Sequence, residues 1–141
     1  MRSNKFVLDP NIYISYFISK NHQSLAKIVI KQKIELVICA ELVDEFKRVL
    51  HYPRLAKHDI DIRQAVKFLE TTGTMYTLQY PIKRYLPNDE NDDYLIALAL
   101  QTSSGFITSG DDDILSQKAI LEKKFKKLKI LTKAEFEGMF G

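Results

Sequence analysis

The period of the hydrophobic positions changes in a regular order along the chain. Residues 5–8 form a short apolar run that stops at Asp9-Pro10, and residues 11–19 then place Ile12, Tyr13, Tyr16 and Phe17 at helical spacing. Strand, turn and helix are predicted there. Leu25, Ala26, Ile28, Val29 and Ile30 continue as a second helix, and residues 34–39 are apolar and partly β-branched enough to read as a buried strand. Residues 40–50 return to helical spacing, with Leu42, Val43, Phe46, Val49 and Leu50 on one side. Pro53 ends that helix, because the residue before a proline is pushed out of the α region. A helix over 61–71, a strand over 74–78 and a loop over 79–88 holding Pro81 and Pro87 follow.

The second half repeats the alternation. Residues 89–101 open acidic and close on Tyr94, Leu95, Ile96, Leu98, Ala99 and Leu100, which predicts a buried helix with carboxylates in its first turn. Residues 105–108 read as a strand, 109–111 as a turn, 112–124 as a helix that can break, and 129–131 as a last strand. Thr132 caps a final helix with Glu135 at the capping-box position. Such alternation predicts an α/β fold: a three-layer α/β/α sandwich with a mainly parallel central sheet, in one domain over residues 1–141.

Composition narrows the class. With 45% hydrophobic and 28% charged residues in 141, the chain can bury a core without staples, which excludes disordered and collagen-like readings. No apolar run approaches the roughly 20 residues that span a bilayer, so neither an anchor nor a secretory signal is expected. Cys39 stands alone and can form neither an internal disulfide nor a cysteine zinc site; the chain reads as cytoplasmic. His22, His51 and His58 lack ligand spacing.

Charge is informative in its distribution rather than in its net of +3. Between residues 85 and 117 there is no Lys or Arg, yet the stretch carries seven acids: Asp89, Glu90, Asp92, Asp93, Asp111, Asp112 and Asp113. Immediately afterwards come Lys118, Lys123, Lys124, Lys126, Lys127, Lys129 and Lys133. This inversion suits a metal site beside a phosphate-binding rim, or else two solvated faces. In an open parallel sheet ligands bind beyond the carboxyl ends of the strands. Asp9 ends the first strand, Asp111 follows the 105–108 strand, and Asp92 opens a helix at the same edge. Glu45, between Val43 and Phe46, leans inward from its own helix. Carboxylates converging there would make an all-oxygen site suited to Mg²⁺ or Mn²⁺.

The order of these motifs resembles the PIN-domain ribonucleases, in particular small bacterial PIN proteins that are toxins of toxin–antitoxin pairs. The resemblance is carried by Asp9-Pro10-Asn11 after a hydrophobic strand, Glu45 on the helix after a Val/Ile-rich strand, Asp92 opening a Leu/Ala-rich helix, and Thr108-Ser109-Gly110-Asp111 with Asp113 after a strand. It implies catalytic and metal-binding roles for Asp9, Glu45, Asp92 and Asp111, with Asp113 as a further metal ligand. Asn11, Asp93, Thr108 and Ser109 would support them, Asn11 by orienting Asp9 or its water. Pro10 departs from the small or hydroxyl residue usual at that position. Asp92 is preferred to Asp93 because of its register with Ala97.

The implied activity is Mg²⁺- or Mn²⁺-dependent hydrolysis of RNA phosphodiester bonds. Lys83, Arg84, Lys118, Lys123 and Lys124 are candidate RNA contacts, and Tyr13, Tyr85 or Tyr94 candidate base-stacking rings. A cognate antitoxin and a homodimer are the implied partners. Two other readings stay open. A non-catalytic RNA- or protein-binding module would keep the fold without the chemistry, and an Asp-phosphorylated receiver would need a lysine that the 85–117 stretch lacks.

Overall fold

The computed structural model describes residues 3–140. Five short strands, β1 (Lys5–Leu8), β2 (Glu35–Ile38), β3 (Gly73–Met75), β4 (Phe106–Thr108) and β5 (Lys129–Leu131), pair in the order β3-β2-β1-β4-β5. Every pairing is parallel, with Phe6 opposite both Leu36 and Phe106, and Ile107 opposite Ile130. Parallel strands cannot be joined by tight turns, so each link is a helical crossover. Helices α1 (Pro10–Ile18) and α2 (His22–Gln32) join β1 to β2. Helix α3 (Ala40–Leu50), a 3₁₀ segment (Pro53–His58) and α4 (Ile62–Thr72) join β2 to β3. A loop, a 3₁₀ turn (Glu90–Asp92) and α5 (Asp93–Gln101) lead to β4, then α6 (Asp112–Ser116) and α7 (Lys118–Lys124) to β5, and α8 (Lys133–Gly138) closes the chain.

Alternation along β1 assigns the layers. Phe6 points to one face, where its ring stacks on Phe106 at 4.5 Å and meets the rings of Phe136 and Phe140 at 5.5 and 5.8 Å. That face also carries α1, since the Tyr16 hydroxyl donates to Glu137 of α8 at 2.8 Å and the Lys133 ammonium lies 4.1 Å from the Tyr16 ring centroid. Lys5, one residue earlier, points the other way. Its ammonium donates to the Thr102 carbonyl at the end of α5, which places α5 on the opposite face. The result is the α/β/α sandwich the hydrophobic pattern predicts. Helix α5 is buried from Asp93 to Ala99, as a helix that is apolar all round must be.

Local differences from the sequence reading have local causes. The third strand covers Gly73–Met75 rather than 74–78. The last bond of that ladder runs from the Tyr76 amide to the Ile38 carbonyl at 2.8 Å, and the chain then leaves the sheet. The acidic opening at 89–92 is a 3₁₀ turn preceding α5, not its first turn. The 112–124 helix is divided at Gln117. The Thr132–Glu135 capping box forms in both directions. Among the described residues no helix is long and apolar enough to cross a membrane.

Phe6 joins the central strand to β4 through Phe106 and to the C-terminal segment through Phe136 of α8 and Phe140. Phe6→Ala should therefore lower unfolding stability by about 3–5 kcal/mol, read from the shift in the urea midpoint.

Candidate metal centre

The sheet order reverses direction between β1 and β4, and the carboxyl ends of these two strands frame the crevice where open α/β sheets bind ligands. The pairing continues past the strands: the Asp9 amide donates to the Thr108 carbonyl at 2.9 Å. Asp9 is therefore anchored at the end of β1 with its carboxylate in the crevice. Its Oδ1 caps α1 by accepting the Asn11 amide at 2.9 Å, and its Oδ2 accepts the Ser109 hydroxyl at 2.9 Å. Pro10 suits the first helical position, where no amide hydrogen is needed. Ser109 Oγ in turn accepts the Asp111 amide at 3.0 Å, and Asp111 caps α6 through the Ile114 amide at 3.3 Å. One serine hydroxyl thus fixes the β1 and β4 acids relative to each other.

The third contribution comes from the acidic turn. Asp92 stands at the N-cap of α5 but makes no capping bond. Its carboxylate, with those of Asp89 and Asp111, forms a group whose oxygens all lie within 4.8 Å of one another. Glu45 reaches inward from α3 and accepts the Tyr94 hydroxyl. Burial raises the pKa of Asp9, and raises that of Glu45 with help from the negative charges of Asp9 and Asp89. Asp111 is raised in the same way, with Asp89, Asp113 and Asp9 adding repulsion. Asp92 is pushed up to about 8 by burial, by its hydrogen bond with Asp89, and by the charges of Glu45, Asp9 and Asp89. Such a cluster is costly without a cation. Its donors are all carboxylate oxygens, which fits a hard divalent ion.

Asp89 is the member of this cluster that the sequence reading did not single out. Its charge bears on Asp9, Glu45, Asp92 and Asp111 alike. The available signal was its place at the head of the Asp89–Asp93 run. Asp93 differs from its neighbour. Buried at 2% exposure, it accepts the amides of Tyr85 and Leu86 at 2.9 and 2.8 Å and the Arg84 guanidinium at 2.8 Å. Asp93 tethers the incoming loop, and Asp92 faces the other acids.

Other expectations are corrected. Asn11 serves Asp9 through its main-chain amide, while its side chain is exposed. Thr108 is buried with its hydroxyl unpartnered, so Ser109 alone supplies a hydroxyl to Asp9. Asp113 lies outside the close oxygen group, although its charge reaches Asp111. Arg84 is committed to Asp93 and to Glu90 at 3.5 Å, and Lys118 to Glu122 at 2.9 Å. Lys123 and Lys124 end α7 just before β5 and so lie at the opposite edge of the sheet from the acids, not on an adjoining rim. Of the five candidate cations only Lys83, exposed on the loop leading to Asp89, keeps that position without an ion pair among the described residues.

Tyr13 is a core residue packed on Phe46, and Tyr94 is buried with its hydroxyl on Glu45, so neither offers a stacking face; Tyr85 packs edge-on to Phe125. Burial pushes the Cys39 thiol up to about 12, as an inert core cysteine. A cleft of about 390 Å³ lined by Glu41, Asp44, Glu45, Arg48, Tyr80 and Tyr94 adjoins the acids. The larger grooves, about 520 and 540 Å³, involve α4 with α2 and α3 and lie elsewhere.

A family model described as PIN domain matches residues 5–113, a span that holds every acid of the cluster. No curated protein matches the chain.

A carboxyl whose pKa is higher folded than unfolded keeps its proton in the native state where the unfolded chain has lost it. Raising the pH through that interval drains stability. With chelator present, the thermal midpoint should therefore fall as pH rises from about 5 to about 8. Asp92→Asn should flatten that dependence and raise the midpoint at pH 8. Asp93→Asn should do the opposite, costing about 2–4 kcal/mol in urea unfolding through the lost charged hydrogen bonds.

Proposed function

The chain belongs to the PIN-domain family, and on that premise we propose that it is a metal-dependent endoribonuclease, using Mg²⁺ or Mn²⁺ to hydrolyse RNA phosphodiester bonds, and the toxin of a toxin–antitoxin pair. The observation that carries the nuclease reading is the convergence of an oxygen each from Asp89, Asp92 and Asp111 within 4.8 Å beside the buried Asp9 and the half-buried Glu45. In this reading Asp92, Asp111 and Asp89 hold the ion, with Asp9 and Glu45 completing the acidic wall. A divalent cation bound there supplies Lewis-acid activation of water and charge neutralisation on the phosphoryl oxygens.

The chain's own residues have definable tasks. Ser109 donates to Asp9 Oδ2 and accepts from the Asp111 amide, which keeps both carboxylates aimed into the crevice without either having to reorganise. Tyr94 donates to Glu45 and restrains the one acid that arrives on α3. Asp93 pins residues 84–86, so that the turn bearing Asp89 enters at a defined angle. Asp92, pushed up to about 8, keeps its proton at neutral pH in the metal-free chain and would exchange it for the cation, so ion binding would strengthen as pH rises. Within the same reading, the partners are an antitoxin protein and a second copy of the chain.

Labelled total RNA incubated with and without Mn²⁺ tests the activity. Wild type should cut only with the metal. Asp9→Asn should lose at least about a hundredfold in rate and still fold, because an amide oxygen can keep the Asn11 bond. Cleavage by Asp9→Asn at the wild-type rate would sink the assignment. Induced expression in a host lacking any antitoxin tests the toxin role: growth should stop with the wild type and continue with Asp9→Asn.

A further inference from the structure

The strongest concentration of positive charge lies at the edge of the sheet remote from the acids. Residues 125–128 connect α7 to β5, and residues 102–105 connect α5 to β4, so both turns stand where the strands begin. Asp9, Ser109 and Asp111 stand where they end. Lys123, Lys124, Lys126, Lys127 and Lys129 are all exposed, and none is in an ion pair among the described residues. The nearest acid in sequence, Glu122, is committed to Lys118 and to the Ile130 amide. Glu122 also feels the charge of Lys129, and no acid among the described residues pairs with the other four ammonium groups.

The patch is also not flat. A cavity of about 290 Å³ opens in it, walled by Leu100, Ser103, Phe125, Lys126, Lys127 and Leu128. Phe125 is half-buried, with its ring held by the edge of Tyr85 at 6.0 Å and the Lys124 ammonium 5.4 Å from its centroid. An apolar pocket with an aromatic wall between paired cations matches the chemistry of a nucleotide: the base enters against the ring and the flanking phosphates meet the lysines. A plain acidic surface would use the charges and leave the ring unused.

We propose that this face is an exosite for single-stranded RNA, with Phe125 receiving a base and Lys124, Lys126 and Lys127 the adjoining phosphates, flanked by Lys123 and Lys129. The inference rests on RNA being the substrate and adds where it is held. Its physical motive is the cluster itself: carboxylates gathered in the crevice repel a polyanion, so the attraction that gathers substrate must come from another face. Counting strand rise from Lys5 to Asp9, the two edges are roughly 13 Å apart, so a strand of several nucleotides can engage both.

Binding is measured in EDTA on the Asp9→Asn background, with a labelled unstructured oligoribonucleotide titrated at several salt concentrations. The combined Lys123→Gln, Lys124→Gln, Lys126→Gln and Lys127→Gln variant should bind at least about tenfold more weakly at 0.1 M salt and lose about 2 to 3 from the slope of log affinity against log salt. Phe125→Leu, which keeps the apolar volume, should weaken binding about fivefold or more, with far-ultraviolet circular dichroism confirming that it folds. Unchanged affinity in the lysine variant would overturn the exosite. So would loss in the lysine variant with none in Phe125→Leu, combined with displacement of RNA by polyglutamate charge for charge, since the face would then be a general acid-binding surface. Because the readout needs no catalysis, the two readings fail separately. Lysine-dependent binding without any metal-dependent cutting by the Asp9-bearing chain sinks the nuclease alone, and Asp9-dependent cutting with unaltered binding in both variants sinks the exosite alone.

Discussion

The side-by-side pairing of β1 and β4 is the constraint on which the rest of this molecule turns. These strands are remote in sequence, yet they run parallel in register and extend their ladder by the Asp9 amide to the Thr108 carbonyl. The reversal of strand order at this seam leaves a crevice above their carboxyl ends that no crossover helix fills. Three of the central acids are positioned from it. Asp9 and Asp111 leave the two strands directly, and α5, whose start carries Asp92, packs against both strands.

Holding like charges together is costly, and the fold meets the cost mainly with neutral donors, with the charge of Arg48 adding to them at Glu45. Asp9 is satisfied by a main-chain amide and a serine hydroxyl, Asp111 by the Ile114 amide while its own amide donates to Ser109, and Glu45 by the Tyr94 hydroxyl. Hydrogen bonds of this kind orient a carboxylate without cancelling its charge, which leaves the affinity for a cation intact. The guanidinium of Arg84 is directed instead to Asp93 and Glu90, away from the crevice. Adjacent aspartates thereby take different parts, Asp93 tying a loop and Asp92 facing the other acids.

Charge is divided on a larger scale as well. The strand direction separates an acidic crevice at one edge from unpaired lysines at the other, so the domain is polar along the sheet. A net charge of +3 conceals this arrangement completely. In the chain the acidic and basic runs follow one another within a few residues, but α6 and α7 carry the second run to the far end of the sheet.

The amino-acid sequence by itself determined the element order and the layer architecture, because apolar spacing at periods of two and 3.6 is a local property and parallel strands oblige helical crossovers. It also determined that Asp9, Asp92 and Asp111 end or begin elements at one edge, since turn chemistry at Asp9-Pro10 and Ser109-Gly110-Asp111 is local too. Tertiary structure decided what depends on distance across the chain. Asp89 became a neighbour of four acids only through the angle at which the 84–89 loop is pinned, and Asp92 separated from Asp93 only because Arg84 folds back on the latter. Ser109, and not Thr108, came to serve Asp9 because adjacent strand-end residues face opposite ways. The lysines left the acidic edge for the same kind of reason: sequence proximity sets how far a helix can carry a charge, and the sheet sets where it arrives.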